Sequence, residues 1–176
     1  FPIILNAWVH IVVTITGGTA RMFINGVLRN VTTGLGSVTN RSEAFTIGCE
    51  ESGTANFYTG YMTDFRFVNG SIPAAYQTSS TTTGVTIFTP PTTPLTAIAN
   101  TVILTCQSNR FIDNSFNNFT LTISGGSPTI QKFSPFNTVT VPRYYSAYFD
   151  GSGDYLTTPS VGSITGDFTI EGWFYL

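Results

Sequence analysis

Few residues in this chain are equipped for chemistry, and their spacing decides what they can do. His10 is the single histidine. It lies in the run Trp8-Val9-His10-Ile11-Val12-Val13, with no nucleophile elbow and no H-E-x-x-H around it. It therefore reads as a structural histidine, its ring hydrogen-bonded at a sheet surface. Glycoside hydrolysis would need two carboxyls facing each other across a cleft. Glu50 and Glu51 are adjacent and would point to opposite sides of an extended chain, and Glu171 stands alone in its segment. The acidic cluster E-x-D-x-x-E is missing, so the chain is read as no enzyme and no catalytic residue is assigned.

The same economy holds for metals. Asp150 and Asp154, in Phe-Asp-Gly-Ser-Gly-Asp, can offer calcium the oxygen ligands it prefers, but Asp and Gly are also what a tight turn requires. The turn is the favoured reading; no cofactor is assigned, with calcium kept as the open alternative. Cys49 and Cys106 are too few for a disulfide framework or a cysteine cluster. Two separate buried thiols are expected, one disulfide being the alternative. Tyr58, Tyr61, Tyr144 and Tyr145 can stack on sugar rings, although packing is the commoner fate of such side chains. No ligand-binding residue is assigned. The Asn-x-Ser/Thr triplets at Asn30, Asn40, Asn69 and Asn118 would matter only on a secretory route.

Composition narrows the partners. Charged residues make up 9% and hydrophobic ones 41%, so the surface must be wetted by hydroxyls and amides. The aromatic residues, 15 Phe, 8 Tyr and 2 Trp, carry more apolar area than a disordered chain does. A net charge of −2, with Lys132 the sole lysine, gives neither a nucleic-acid footprint nor a polybasic lipid patch. No apolar run is long enough to insert in a membrane. The start Phe1-Pro2-Ile3 lacks a charged leader and an initiator Met, which fits an excised or processed chain.

The elements that would hold these residues are strands. Ala7–Ile15 is dense in β-branched residues and stops at Gly17-Gly18. Asn25-Gly26 supplies the two positive φ values of a type I′ turn, making Met22–Leu28 a tight hairpin. Ala44–Gly48 is a further short strand. Phe57–Val68 alternates, with Tyr61, Thr63, Phe65 and Phe67 on one face and Met62, Asp64, Arg66 and Val68 on the other. Residues 71–100 are Ser-, Thr- and Pro-rich, which suits an extended strap along a sandwich or an interdomain linker. Strand signals resume at Val102–Cys106, Phe119–Ile123, Ser146–Phe149, Tyr155–Thr158 and Asp167–Leu176. Helical periodicity is missing throughout. The fold class is all-β.

Several stretches resemble the laminin-G-like, concanavalin A-like lectin/glucanase sandwich family. Ser146–Leu156 (SAYFDGSGDYL) is similar to that family's early hairpin, and Gly166–Trp173 (GDFTIEGW) to the strand after it. Trp8–Thr14 with Met22–Gly26 resembles a later hairpin, and Gly60–Arg66 its closing strand. A narrower likeness runs through Phe88–Pro91, Leu104–Ser115 and Phe133–Phe136, which are similar to repeated segments of large structural proteins of marine tailed phages.

The resemblance implies an antiparallel jelly-roll β-sandwich. The family-early motifs come last in this chain, so the sandwich is expected to be incomplete or permuted. The expected division is 1–88, the C-terminal part of one sandwich; 89–100, a Pro/Thr-rich connector; and 101–176, the N-terminal part of another. The implied role is a structural and adhesive module of a phage virion, in a tail fibre or surface appendage. Its partners would be other copies or neighbouring subunits, with contact to host glycans. A secreted or cell-surface carbohydrate-binding adhesin is the alternative, and a glucanase-like hydrolase the second.

Overall fold

A computed structural model describes residues 4–36, 44–50, 53–136, 144–164 and 166–176. It is an antiparallel β-sandwich with no α-helix among the described residues. The strands are β1 (Trp8–Thr16), β2 (Thr19–Ile24), β3 (Val27–Thr32), β4 (Phe45–Ile47), β5 (Thr59–Asn69), β6 (Thr101–Thr105), β7 (Thr122–Gly125), β8 (Thr129–Gln131), β9 (Ser146–Asp150), β10 (Asp154–Thr158) and β11 (Phe168–Tyr175). One turn of 3-10 helix, Ala74–Tyr76, follows β5. The larger sheet runs β3-β2-β1-β11-β5-β9-β8, and β6 shares the outer side of β5 with β9. The smaller sheet is β4-β10-β7.

The alternation of each strand explains the two layers. Met62, Phe65, Phe67, Ile103, Ala147, Phe149 and Phe168 of the larger sheet close on Ile47 and Leu156 of the smaller one. Those side chains form the sandwich core. The opposite face of the larger sheet is buried as well, under the segment 71–100. There Val12, Phe23 and Leu28 pack with Tyr76 and Phe88. The segment is tied to the β2–β3 hairpin by Ile87 N–H to Gly26 O and Leu28 N–H to Val85 O. Of the two arrangements open for this stretch, the structure shows a strap laid along the sheet.

The hairpin turn is as expected, with Asn25 and Gly26 both at positive φ (48° and 79°). Gly26 is required for a second reason: a Cβ there would sit 1.8 Å from the carbonyl oxygen of Phe88. Strict alternation along β5 fails. Asp64 takes a positive φ of 55°, and pairing slips so that Glu171 faces Arg66 while Trp173 faces Thr63. This bulge reassigns the faces. Met62 pairs with Phe174 and Phe67 with Ile170 on the core side, joined there by Phe65. Thr63, which donates to Tyr145 O, and Arg66, which donates to Thr96 O of the strap, turn to the other face. One inserted residue thus carries Phe65 and Phe67 to the face opposite the one that period two assigns to them alongside Tyr61 and Thr63.

β11, from the end of the sequence, lies between β1 and β5. Strands from residues 1–88 and from 101–176 therefore share one sheet. The strand read as Phe119–Ile123 begins later, at Thr122, because Asp113 holds the preceding loop. Its Oδ2 accepts from Phe119 N–H and its Oδ1 from Leu104 N–H. β8 carried no strong strand signal, being three residues of mixed polarity next to Pro128.

Candidate functional site

A pocket of about 640 Å³ opens where the ends of β1 and β2 meet the turn after β5. Pairing sets its walls. Thr14 lies opposite Arg21 across the β1–β2 ladder and opposite Thr169 across the β1–β11 ladder. Gly70 and Ser71 leave β5, and the chain then climbs over the sheet as the short 3-10 turn that delivers Tyr76, Gln77 and Thr78. Asp167, just before β11, completes the rim; its carboxylate accepts from Thr16 Oγ1 at 2.8 Å and from Gly17 N–H at 3.3 Å. The lining is rich in hydroxyls, with one side-chain amide, one aromatic ring, one guanidinium and one carboxylate.

Behind Tyr76 lies a charge cluster sealed from water. Glu171 Oε1 accepts from Arg66 Nε (2.8 Å) and Nη2 (2.6 Å), and Oε2 accepts from the Tyr76 hydroxyl. Arg66 Nη1 donates to the Thr96 carbonyl of the strap at 2.8 Å. Burial pushes the Glu171 carboxyl up, but the His10 ring, Arg66 and Tyr76 together pull it below its ordinary value. Tyr76 is pushed up by burial and by the Glu171 charge. A second buried carboxylate, Asp64, sits at the bulge and accepts from Leu95 N–H of the strap, from Gln107 Nε2 and from Thr63 Oγ1. Burial raises its pKa, and Glu171 adds to the rise. These two carboxylates fasten the strap to the sheet. Neither lines the pocket, so Glu171 is not placed as a hydrolytic acid would be.

His10 departs from its expected place. It is fully buried, not at a surface, and neither ring nitrogen has a hydrogen bond among the described residues. Its Nε2 lies 3.5 Å from Glu171 Oε2, and the ring packs against Trp173, Phe88 and Tyr76. The strap converts what would be an outward sheet face into a second interior.

Asp150 and Asp154 do turn work. Asp150 Oδ1 accepts from Ser152 N–H, and Asp154 Oδ2 accepts from Asp150 N–H. No group of three or more metal-ligating side chains occurs among the described residues. Cys49 and Cys106 are free thiols. Cys106 is buried, with its pKa pushed up to about 12 by burial, whereas Cys49 is only half-buried. Glu50 accepts from Asn56 Nδ2 (2.9 Å) and Thr54 Oγ1 (3.3 Å); Glu51 and the Asn40 triplet lie outside the described residues. Asn30 and Asn118 are exposed, while Asn69 donates to Ser163 O.

The four tyrosines are not brought together. The Tyr58 hydroxyl donates to Tyr61 O at 2.9 Å, and Tyr61 packs with Phe133, Tyr148 and Tyr175. Tyr144 rests on Phe136, and the Tyr145 carbonyl accepts from Thr63 Oγ1. The pocket instead uses Tyr76 and Arg21, neither of which the sequence singled out. Tyr76 sits in a Ser/Thr/Pro-rich stretch with no periodicity, and Arg21 is an ordinary hairpin residue until the strap covers it.

Two antiparallel sheets stacked as a sandwich are consistent with a concanavalin A-like fold. Residues 1–76 match the family model Laminin_G_3, described as the concanavalin A-like lectin/glucanases superfamily, which covers the β1–β2 hairpin, β5 and Tyr76. No curated protein and no solved structure matches the chain. Among the described residues, no helix is long and apolar enough to cross a membrane.

Proposed function

We propose that this chain is a structural and adhesive module that holds saccharide in the pocket between Thr14, Arg21 and Tyr76. The pocket itself carries the reading. A concave lining of hydroxyls, one side-chain amide and one tyrosine offers a sugar ring both hydrogen bonds and a face to lie on. The buried Glu171–Arg66–Tyr76 cluster holds that tyrosine in place, so the pocket is formed before any ligand arrives. The family to which residues 1–76 match includes lectins in its own description, which supports the same reading. Titration of the intact chain against a glycan array, followed by calorimetry on the hits, is the test. Saturable binding lost on Thr16→Ala together with Gln77→Ala is expected, and no binding to any saccharide would refute it.

The setting proposed is a phage virion, in a tail fibre or surface appendage, where neighbouring copies or subunits are the protein partners. Similarity to repeated phage structural segments supports it, as does the low charge fraction, which suits long-lived interfaces. In this setting 1–88 and 101–176, whose strands share one sheet, act as a single unit. Gold-labelled antibody against the chain should decorate purified particles; decoration of cells instead would favour a cell-surface adhesin. The module is proposed to be non-catalytic, since Glu171 is committed to Arg66 and closed off by the strap. Release of reducing sugar that disappears in Glu171→Gln would overturn this.

A further inference from the structure

Two arginines are buried on the strap side of the larger sheet, and they are treated differently. Arg66 is neutralised by Glu171 and capped by Thr96 O. Arg21 is 7% exposed, yet its one hydrogen bond among the described residues runs from Nε to Ser80 O at 3.0 Å. Neither Nη group has a hydrogen-bond partner among the described residues. Asp167 lines the same pocket but makes no ion pair with Arg21; its oxygens are engaged by Thr16 and Gly17 instead.

The Arg21 Nη groups face the pocket with no counter-charge on them, and a planar carboxylate matches such a guanidinium in a bidentate fork. We infer that the pocket takes a saccharide bearing a carboxylate, a hexuronic or nonulosonic acid residue, with that carboxylate on Arg21. This rests on the saccharide reading above and names the class of sugar. The ring hydroxyls then meet the threonine and amide lining, and one donates to Asp167. The fixed negative charge of Asp167 also disfavours densely sulfated chains, which would crowd anionic groups against it.

The test is calorimetry on the intact chain with oligogalacturonate, its methyl ester, the neutral galactose oligomer and a sulfated galactan. Oligogalacturonate should bind at least about tenfold more tightly than its ester or the neutral oligomer, and should weaken as salt rises. Arg21→Gln should abolish that preference, so that acid, ester and neutral oligomer bind alike. Asp167→Asn should keep the fold and admit the sulfated chain. Because the ester changes the ligand alone, the comparison holds even if Arg21→Gln does not fold. Equal binding of acid, ester and neutral oligomer, a preference that survives Arg21→Gln, or a sulfated chain bound best by the native protein would each overturn the inference while leaving saccharide binding intact. Absence of binding by all four probes and by the wider array would remove both.

Discussion

At the scale of single residues, the fate of this molecule turns on how its few charges are satisfied. Glu171 and Arg66 share two hydrogen bonds in a site from which water is excluded. Removing one partner leaves the other buried and uncompensated, so Arg66→Ala should cost about 3–5 kcal/mol. Urea unfolding monitored by tryptophan fluorescence would measure it. Tyr76→Phe removes only a donor to Glu171 and should cost about 1–3 kcal/mol in the same assay. The two carboxylates respond oppositely to acid. Asp64 is held above its ordinary 3.8, first by burial, so it binds its proton more tightly in the folded state. Its contribution to stability therefore falls as pH rises from 3.8 through the raised value. Glu171 is held below its ordinary 4.5, so its contribution is present above 4.5 and lost as pH falls through the lowered value. Urea midpoints taken stepwise from about pH 3 to about pH 7 should lose more, or gain less, with rising pH in the native chain than in Asp64→Asn. The sequence offered Glu171 as an isolated carboxyl because its partners lie in β5 and the strap, and no local pattern announces a pairing between strands so far apart in the chain.

At the scale of elements, the strap is what the local signals described least well. Ser, Thr and Pro mark 71–100 as extended and non-helical, and that much is visible in the sequence. What they do not encode is the surface on which the segment lies. That depends on Tyr76 and Phe88 finding Val12, Phe23 and Leu28, and on Asp64 and Arg66 reaching Leu95 and Thr96. The bulge at Asp64 was hidden for a related reason: an insertion in a strand leaves hydrophobic and polar residues alternating on either side, and only the partner strand reveals the slip. By contrast, the Asn25-Gly26 hairpin was legible, because its geometry is set by two adjacent residues. Gly26→Ala should destabilise the fold by more than about 2 kcal/mol, since the new methyl meets the Phe88 carbonyl at a backbone angle that alanine resists. Hydrogen exchange should then quicken at Ile87 and Phe88 before it does in β11, showing that the strap lifts first.

At the scale of the whole molecule, the order of strands matters more than their number. β11 is late in the sequence but central in the sheet, with β1 on one side and β5 on the other. Ending the chain at residue 166 would leave both neighbours with unpaired ladders and should abolish the cooperative thermal transition, which calorimetry would report. The all-β class and most strands could be read from alternation and turn chemistry. The insertion of β11 between β1 and β5 could not, since neither flanking strand carries a pattern specific for it. The register of this insertion has a mechanical consequence. Trp8 lies opposite Tyr175, and Asn6 N–H donates to Leu176 O, so positions 6 and 176 emerge side by side at one end of the ladder. Tension applied across those two positions peels β1 from β11 like a zip, breaking one rung after another. A sheet loaded lengthwise would share the strain among all its rungs at once; this one yields gradually, and would act as the compliant link in any fibre that transmitted force through it.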